Sequence, residues 1–405
     1  MSKIISSTLG EICRVINGRA YKQTELQDKG KYKVLRVGNF FSNSSWYYSD
    51  LELGSDKYCL NGDLLFAWSA SFGPRIWDQD KTIYHYHIWK LVENSKFIDK
   101  TYLYYFLHNS VKKMMHSTHG SIMLHLTKKF MEELCVNFPA NISHQKTIAS
   151  VLSSLDEKIN INNRINTELE VMAKTLYDYW FVQFDFPDAN GKPYKNAGGK
   201  MIYNLTLKRE IPVGWIGGTA STLLNFNPTT SLKAGAVASY IDMDSLPVKG
   251  FMTKKPAKKE FAGGVKFKNY DVAVARITPC LENGKTALIS RLPENKIGFG
   301  STEFIILRGK NRPLPYFSAC LARAESFRRF AISNMTGTSG RKRIDAKILE
   351  TYSLPVPAKE ILDEFESKVG KLFKKMNDNA EENDELSNLR DWLLPMLMNG
   401  QITVK

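Results

Sequence analysis

The sequence predicts an α/β protein of the α+β type, in which two similar domains follow one another and one long helix follows each domain. Two stripes of apolar residues at three- and four-residue spacing predict the long helices. Short apolar runs between turn residues predict small mixed domains with irregular sheets. A shared order of features in the two halves of the chain predicts an internal repeat.

The first domain is expected over residues 1–144. Its apolar runs, such as Asp63–Ala67, are short and are separated by Gly, Asn and Pro, which predicts strands joined by turns. Thr101–Met115 is predicted to form a helix, and a strand-like run over residues 134–138 leads to Pro139.

The first long helix is expected over residues 145–186. Its apolar stripe is narrow, as in the seam of a coiled coil, and comprises Ile148, Leu152, Leu155, Ile159, Ile165, Leu169, Met172, Leu176 and Trp180. The stretch that follows is rich in Pro and Gly, which predicts a linker over residues 187–209.

The second domain is expected over residues 210–357, with a strand at Asp271–Ala275 and a helix at Pro315–Ile332. The second long helix is expected over residues 358–400, with Gly400 as its C-cap. Its seam comprises Leu362, Phe365, Val369, Leu372, Met376, Leu386, Leu389, Leu393 and Met396. Because the two seams have matched lengths, the helices are expected to pack on each other.

Asparagines interrupt both seams near mid-length, at Asn162 in the first helix and at Asn379 and Asn383 in the second. A buried asparagine costs stability but can fix the register of two helices. The alternative is that these side chains face solvent, and the sequence leaves both interpretations open.

The internal repeat is clearest where Pro139 is aligned with Pro357, an offset of 218 residues. Further upstream the offset falls to 208, which aligns Asp63 with Asp271, so the loops between must differ in length. The two copies share few side chains. This pattern predicts one architecture with two different surfaces.

The net charge is +15, and the excess of positive charge is confined to the two domains. Residues 1–144 have a net charge of +5 and residues 205–357 a net charge of +13, whereas residues 145–204 are neutral and residues 358–405 have −3. This partition favours a polyanionic partner such as nucleic acid for the domains. Two similar domains with different surfaces would suit recognition of two different sequences.

The sequence shows no catalytic machinery. It has neither a G-x-x-x-x-G-K-[ST] phosphate loop nor a G-x-G-x-x-G turn after a strand. Asn227–Thr230 lacks the second proline and the aromatic residue of an amino-methyltransferase motif, and we interpret it as a turn. We therefore expect no catalytic residue and no metal site in this chain.

The cellular location is expected to be the cytoplasm. The five cysteines are scattered and odd in number, which favours free thiols in a reducing compartment. The first residues lack the features of a signal peptide, and no stretch resembles a membrane span, so no membrane partner is expected.

Two histidines stand out in Tyr84–His87, which alternates like a strand and would place His85 and His87 on one face. A metal pair, a DNA-facing edge and a solvated edge are all compatible with this pattern. Because no Cys or carboxylate cluster completes a ligand set, the metal pair is the least favoured.

Candidate DNA contacts are Arg, Lys, His and hydroxyl residues in loops that follow apolar strands, since these groups are the usual ligands of phosphates and base edges. The clearest loops are Trp68–Arg75, Ala275–Pro279 and Thr336–Arg343. A solvated loop is the alternative for each. The full set comprises Arg19, Arg36, Ser69, Ser71, Arg75, His85, His87, Lys128, Lys254, Lys255, Arg276, Thr278, Lys285, Ser339, Arg341, Lys342 and Arg343.

The order and spacing of several motifs resemble the specificity subunits of type I restriction-modification systems. The matching motifs are Leu9–Cys13 with Leu35–Asn39, Gly62–Gly73, Gln145–Lys158, Leu176–Phe184, Glu210–Trp215 and Leu389–Gly400. Together they cover nearly the whole chain. One departure is Asn269-Tyr-Asp271, which replaces the Gly-Asp entry of the first copy.

The resemblance implies two target-recognition domains, each binding one half of a bipartite site in double-stranded DNA. It implies that the two conserved helices form an antiparallel coiled coil that spaces the halves and binds two methyltransferase subunits. Restriction subunits with motor and nuclease activity would join the complex. The chain itself would bind no cofactor, and S-adenosylmethionine, ATP and Mg²⁺ would belong to the partner subunits.

Two rival functions remain at this point. A fused DNA methyltransferase or nuclease would show activity in the purified chain alone. A coiled-coil scaffold without DNA specificity would bind DNA in a salt-sensitive manner and would prefer no sequence.

Overall fold

The computed structural model describes residues 3–42, 45–69, 71–117, 126–338 and 340–404. Contacts between residues divide the chain into two units, Met1–Lys158 with Leu386–Lys405, and Ile159–Glu385. Each unit contains one copy of the repeat. We call Ile4–Pro139 the first repeat and Ile216–Val356 the second repeat, from the first strand to the last strand of each copy.

Where the structure describes it, the first repeat consists of short strands and four helices. The strands are β1 (Ile4–Thr8), β2 (Cys13–Asn17), β3 (Tyr32–Leu35), β4 (Tyr47–Ser49), β5 (Tyr58–Cys59), β6 (Leu64–Ser69), β7 (Ser71–Ile76), β8 (Thr82–Tyr84), β9 (Ile88–Glu93) and β10 (Cys135–Pro139). The helices are α1 (Leu9–Ile12), α2 (Val37–Phe41), α3 (Lys100–Ser117) and α4 (Lys128–Glu132). Helix α3 confirms the helix predicted over Thr101–Met115.

The long helix α5 (Ile142–Tyr177) comes next and ends in one π-helical turn, Asp178–Val182. An antiparallel pair of strands, β11 (Met201–Asn204) and β12 (Arg209–Pro212), precedes the second repeat.

The second repeat contains β13 (Ile216–Thr219), β14 (Leu224–Phe226), β15 (Val237–Ile241), β16 (Ala257–Glu260), β17 (Val265–Phe267), β18 (Val272–Ala275), β19 (Thr286–Leu288), β20 (Gly298–Gly300), β21 (Phe304–Gly309) and β22 (Ser353–Val356). Its helices are α6 (Ala220–Leu223), α7 (Pro315–Arg323), α8 (Glu325–Ser333) and α9 (Ala346–Glu350). The long helix α10 (Lys359–Met398) follows.

The two repeats have the same sheet topology. The strand orders β2-β9-β6-β7 and β4-β3-β8-β5 of the first repeat recur as β14-β21-β18-β19 and β16-β15-β20-β17 in the second. In each repeat the second of these sheets contains one parallel pair, β3 with β8 and β15 with β20. The first and last strands pair in both copies, β1 with β10 and β13 with β22. The predicted tandem α/β architecture is thus confirmed.

An ion pair recurs at the entry to an inner strand of each repeat. In the first repeat the Asp63 carboxylate lies 2.6 Å from Lys90 Nζ. In the second, Asp271 lies 2.6 Å from Arg308 Nε, and the offsets of 208 and 218 residues relate the two pairs. The match supports the alignment that the sequence suggested.

The departure at the Gly-Asp entry has a backbone explanation. Gly62 has a positive φ of 87°, and Tyr270, at the equivalent position, adopts a φ of 72°. Both backbone N–H groups donate to the residue that directly follows the partner strand, Gly62 N to Trp77 O after β7 and Tyr270 N to Ile289 O after β19. The second repeat therefore keeps the same turn although it lacks the glycine, at some cost in backbone strain.

The predicted helix over Pro315–Ile332 is divided into α7 and α8. Ala324 separates them with extended backbone angles, φ −61° and ψ 135°. The break gives α8 its own direction, so that Phe327 and Ala331 are buried in the core of the second repeat. A continuous apolar pattern did not reveal this change of direction.

The long helices pack antiparallel, and their asparagines are buried between them. Asn162 and Asn379 are each only 1% exposed. Asn162 donates to Asn383 Oδ1 at 3.0 Å, and Asn379 donates to Asn166 Oδ1 at 2.8 Å. The burial of Asn162 and Asn379 is confirmed and the solvent-facing alternative is wrong for them, whereas their role in fixing the register stays a prediction.

The ends of the helices complete the cores of the two repeats. In the unit that contains the first repeat, Ile148 and Leu152 of α5 and Leu394 and Leu397 of α10 are buried in its core. In the other unit the core includes Ala173 and Tyr177 from the last turns of α5 and Trp180 from the π-helical turn that follows. Leu362 and Phe365 from the start of α10 belong to the same core. Each repeat therefore folds against the start of its own long helix and the end of the other.

The segment predicted to be a linker, residues 187–209, contains β11 and packs closely. The ring of Phe186 stacks on Tyr194 at 4.6 Å and on Trp215 at 5.2 Å. After α10, Gly400 has a φ of 70° and Gln401 N donates to Met396 O, which confirms the predicted C-cap. The five-part domain division itself stays a prediction.

Candidate nucleic-acid interface

Three loops of the second repeat meet where β18 ends. Arg276 N donates to Glu303 O at 2.9 Å, and Ile344 N donates to Arg276 O at 3.0 Å. Thr278 N donates to Lys342 O at 3.1 Å. These bonds bring together predicted contacts that lie far apart in sequence. We call Arg276, Thr278, Glu303, Lys342 and Arg343 the second-repeat edge.

The loop before Ile344 is anchored at its two ends. Thr336 N donates to Arg343 O at 2.9 Å, and Arg343 N donates to Thr336 O at 2.8 Å. Within it, Arg341 and Lys342 are exposed, and neither forms a salt bridge with another described residue. Unpaired cations on a fixed loop are available to phosphates. Ser339, also predicted to contact DNA, lies outside the described residues.

Arg343 differs from its neighbours because Glu303 holds its guanidinium. Nε lies 3.0 Å from both carboxylate oxygens, and Nη2 lies 2.7 Å from Oε1. The hydrogen bonds from Arg343 lower the pKa of Glu303 below its usual value. Glu303 was absent from the predicted set, because it stands apart from the basic loops and only sheet pairing brings it there.

The first repeat has the same backbone frame with other side chains. Trp68 N donates to His87 O at 3.1 Å, and Leu126 N donates to Trp68 O at 3.4 Å. These bonds match those of Arg276 in the second repeat, with His87 in the place of Glu303. We call Trp68, Ser69, His85 and His87 the first-repeat edge. Ser69 is buried at the tip of the β6–β7 hairpin and faces exposed Ser71.

The predicted strand through Tyr84–His87 is wrong, because β8 ends at Tyr84 and a tight turn follows. Ile88 N donates to His85 O at 2.9 Å, which closes the turn. The turn still brings the two imidazole rings to 4.7 Å. Burial, together with His87 and Arg36, lowers the pKa of His85 to about 4, so this ring is neutral at pH 7. A neutral ring can hydrogen-bond a base but adds no charge toward a phosphate.

Three predicted arginines of the first repeat have intramolecular partners. Arg19 forms a salt bridge of 2.7 Å with Glu25. Arg36 lies 4.2 Å above the ring of Tyr47. Arg75 donates to Phe40 O at 2.7 Å and to Asp78 at 2.9 Å. Their contact with DNA stays a prediction.

The predicted lysines fall into two groups. Lys285 is bound to Asp244 at 2.9 Å, and Lys128 lies 3.4 Å from Glu132. Lys254 and Lys255 are exposed and have no salt bridge within the described part of the chain. The second group is therefore better placed to attract a polyanion.

The residues that define the two edges have arginine, lysine, histidine, tryptophan, glutamate and hydroxyl side chains. Over the ranges that the structure describes, no group of three or more His, Cys, Asp or Glu side chains could hold a metal ion. The same ranges contain no helix that is long and apolar enough to cross a membrane. The side chains at the edges can form hydrogen bonds, ionic interactions and aromatic contacts.

Residues 1–171 match the family model of the type I restriction modification DNA specificity domain. The matched residues comprise the first repeat and most of α5. The chain is also 25% identical over 297 residues to the type I restriction enzyme MjaIX specificity subunit of Methanocaldococcus jannaschii, an alignment that covers 71% of this chain and 65% of that protein.

Two further similarities cover more of the specificity subunits concerned. The HindI specificity subunit of Haemophilus influenzae is 22% identical over 355 residues, which covers 72% of this chain and 74% of that protein. A crystal structure of the type I S subunit from M. genitalium has a TM-score of 0.58 at 15% identity, over 98% of this chain and 96% of that chain. The similarity to type I specificity subunits is thus confirmed, and the structure of the S subunit supports the fold.

Proposed function

We propose that this chain determines the DNA sequence specificity of a type I restriction-modification complex, with each repeat binding one half of a bipartite site. The observation that carries the proposal is the repeated backbone frame, which presents different side chains in its two copies. The match of residues 1–171 to the specificity-domain family model supports it, as does the excess of positive charge in the domains.

The two halves of the site should differ in sequence. The first-repeat edge presents the ring of Trp68 and the imidazole of His87, whereas the second-repeat edge presents Arg276 and Glu303 at the equivalent positions. Aromatic and cationic groups contact different features of base pairs, since arginine favours guanine and apolar groups favour the thymine methyl.

The helices would space the two half-sites and bind methyltransferase subunits. Their segments are neutral (residues 145–204) and net negative (residues 358–405), which argues against a primary role in DNA binding. They do expose apolar side chains, with Val171 and Met172 of α5 at 58% and 50% exposure and Trp392 of α10 at 54%. Exposed apolar groups of this kind suit a protein partner.

The chain would supply recognition and geometry but no reaction step. S-adenosylmethionine, ATP and Mg²⁺ would be bound by the methyltransferase and restriction subunits that complete a cytoplasmic complex. Methyl transfer or DNA cleavage by the purified chain alone would contradict this assignment.

Selection of random DNA by the reconstituted methyltransferase complex tests the proposal. We expect an enriched site in two parts, separated by bases without preference. When the edge residues of one repeat are substituted, selection should yield a site in which one part has changed and the other part is the same. An enriched site that is continuous, or no enrichment, would overturn the proposed function.

Replacement of Arg341, Lys342 and Arg343 by alanine should weaken DNA binding at every salt concentration. Each lost phosphate contact lowers the slope of log K against log salt by about 0.9, so the slope should fall by about 1–3. The matched control replaces exposed Lys192, Lys195 and Lys200, which removes the same charge outside both edges. The salt slope of DNA binding, measured from roughly 50 to 300 mM salt, distinguishes the two triple variants. Equal effects of the two triple variants would refute a local role for the loop.

A further inference from the structure

We propose that Glu303 is a positioning residue that fixes the guanidinium of Arg343 for contact with DNA. The inference rests on the proposed function of the second repeat and concerns a residue that the basic loops do not contain. Arg343 would make the contact, and Glu303 would act through it.

The geometry leaves one edge of the guanidinium available. An arginine has five N–H donors in a fixed planar arrangement. Glu303 engages Nε and one hydrogen of Nη2, at 2.7–3.0 Å. The donors that remain are on Nη1 and on the outer side of Nη2, and the Arg343 side chain is 45% exposed. That outer edge matches a pair of acceptors, either guanine O6 and N7 or two phosphate oxygens.

Both residues of the pair are held by their backbones. Arg343 exchanges two hydrogen bonds with Thr336, and Glu303 O accepts from Arg276 N. The Glu303 side chain is only 24% exposed. A guanidinium fixed before DNA arrives loses less conformational entropy on binding. In the first repeat the corresponding place is occupied by His87, so the device belongs to the second repeat.

Because Glu303 is negatively charged, removing its charge can either strengthen or weaken DNA binding, and the direction of the change tests the proposal. Coulomb's law alone predicts that a carboxylate near DNA weakens binding and that its removal strengthens it. Positioning predicts the reverse, because an arginine released from its partner must be ordered anew by each DNA contact. The two explanations therefore differ in direction as well as in size.

The experiment measures DNA binding by the full chain in its methyltransferase complex, with wild type, Glu303→Gln and the control Glu294→Gln. Glu294 is exposed in the same repeat, and its replacement changes the charge equally. We expect Glu303→Gln to bind the selected site about tenfold more weakly, the loss of one charge-assisted bond. Glu294→Gln should bind as tightly as wild type or slightly more tightly. Binding by Glu303→Gln that equals or exceeds that of Glu294→Gln would overturn the proposal.

A second variant separates positioning from general damage to the fold. Arg343→Lys keeps the charge but loses the planar set of donors. If Glu303 acts through Arg343, the double variant should bind no more weakly than the weaker single variant. Additive losses would overturn the proposal. Loss confined to sites with a G·C pair at one position would identify guanine as the acceptor, and equal loss at all sites would identify phosphate, both in agreement with positioning.

The outcome is separable from that of the proposed function. A wild-type complex that selects a two-part site, with no defect in Glu303→Gln, would refute only the role of Glu303. If the wild-type complex bound DNA without sequence preference, sequence recognition would be refuted. If Glu303→Gln also weakened that binding, Glu303 would still be the residue that orients a phosphate contact.

Discussion

Replacement of Arg308 by alanine should destabilise the second repeat by about 3–5 kcal/mol, the cost of leaving a buried charge without its partner. Asp271 is only 2% exposed at its side chain, and Arg308 donates to it through Nε at 2.6 Å and Nη2 at 2.7 Å. Lys268 N adds a hydrogen bond of 2.8 Å, which cannot neutralise the carboxylate. Hydrogen exchange of the β18 and β21 amides would report the loss locally.

The first repeat supplies a matched control for this prediction. Lys90→Ala removes the equivalent cation from Asp63, but the Asp63 side chain is 21% exposed and water can reach it. We therefore expect a smaller loss for Lys90→Ala, about 1–2 kcal/mol, measured by exchange of the β6 and β9 amides. Similar losses in the two repeats would mean that burial of the carboxylate does not set the cost.

Features that depend on local periodicity were predictable from the sequence. The seams indicated the positions of both long helices, with α5 at Ile142–Tyr177 and α10 at Lys359–Met398, although α5 ends nine residues before the predicted boundary, or four if its π-helical turn is included. The aligned prolines indicated the repeat. The sequence showed the asparagines as interruptions of the apolar seams. Only the hydrogen bonds of Asn162 and Asn379 show that these side chains face the partner helix.

Features that depend on long-range pairing were not predictable. Nothing in the sequence shows that β3 and β8 run parallel, because the residues that pair are about 50 positions apart. Gly and Pro made residues 187–209 look like a linker, while ring stacking on Phe186 orders them. Four alternating residues were too few to establish a strand at Tyr84–His87, where a turn forms instead.

The candidate site shows the same division. Arg276 and Arg343 were recognisable because each lies in a loop of turn residues and cations. Glu303 was not, since an isolated acid after Ser301-Thr302 resembles any solvated residue until β21 places it beside Arg343. The offset of 216 residues that relates β8 to β20 pairs Glu303 with His87, and this offset is evident only from the positions of the strands.

Replacement of Phe365 by alanine should destabilise the unit containing the second repeat by about 3–5 kcal/mol. Phe365 is fully buried in α10, and its ring lies 4.8 Å from that of Phe181 and 5.6 Å from that of Trp180. Removing the ring leaves a cavity between the start of α10 and the end of α5. The surrounding rings cannot fill it without leaving their own contacts in the core.

The location of the loss tests whether the end of α5 is an integral part of this folding unit. If it is, amides around Phe181 should lose protection from hydrogen exchange together with those of α7, because both pack in one core. Phe97→Ala makes the same chemical change at a side chain that is 48% exposed and should cost less than about 1 kcal/mol. If α7 kept its protection in Phe365→Ala while α5 alone lost it, the helix end would be an accessory to the domain, and the spacing of the half-sites would not depend on the stability of the second repeat.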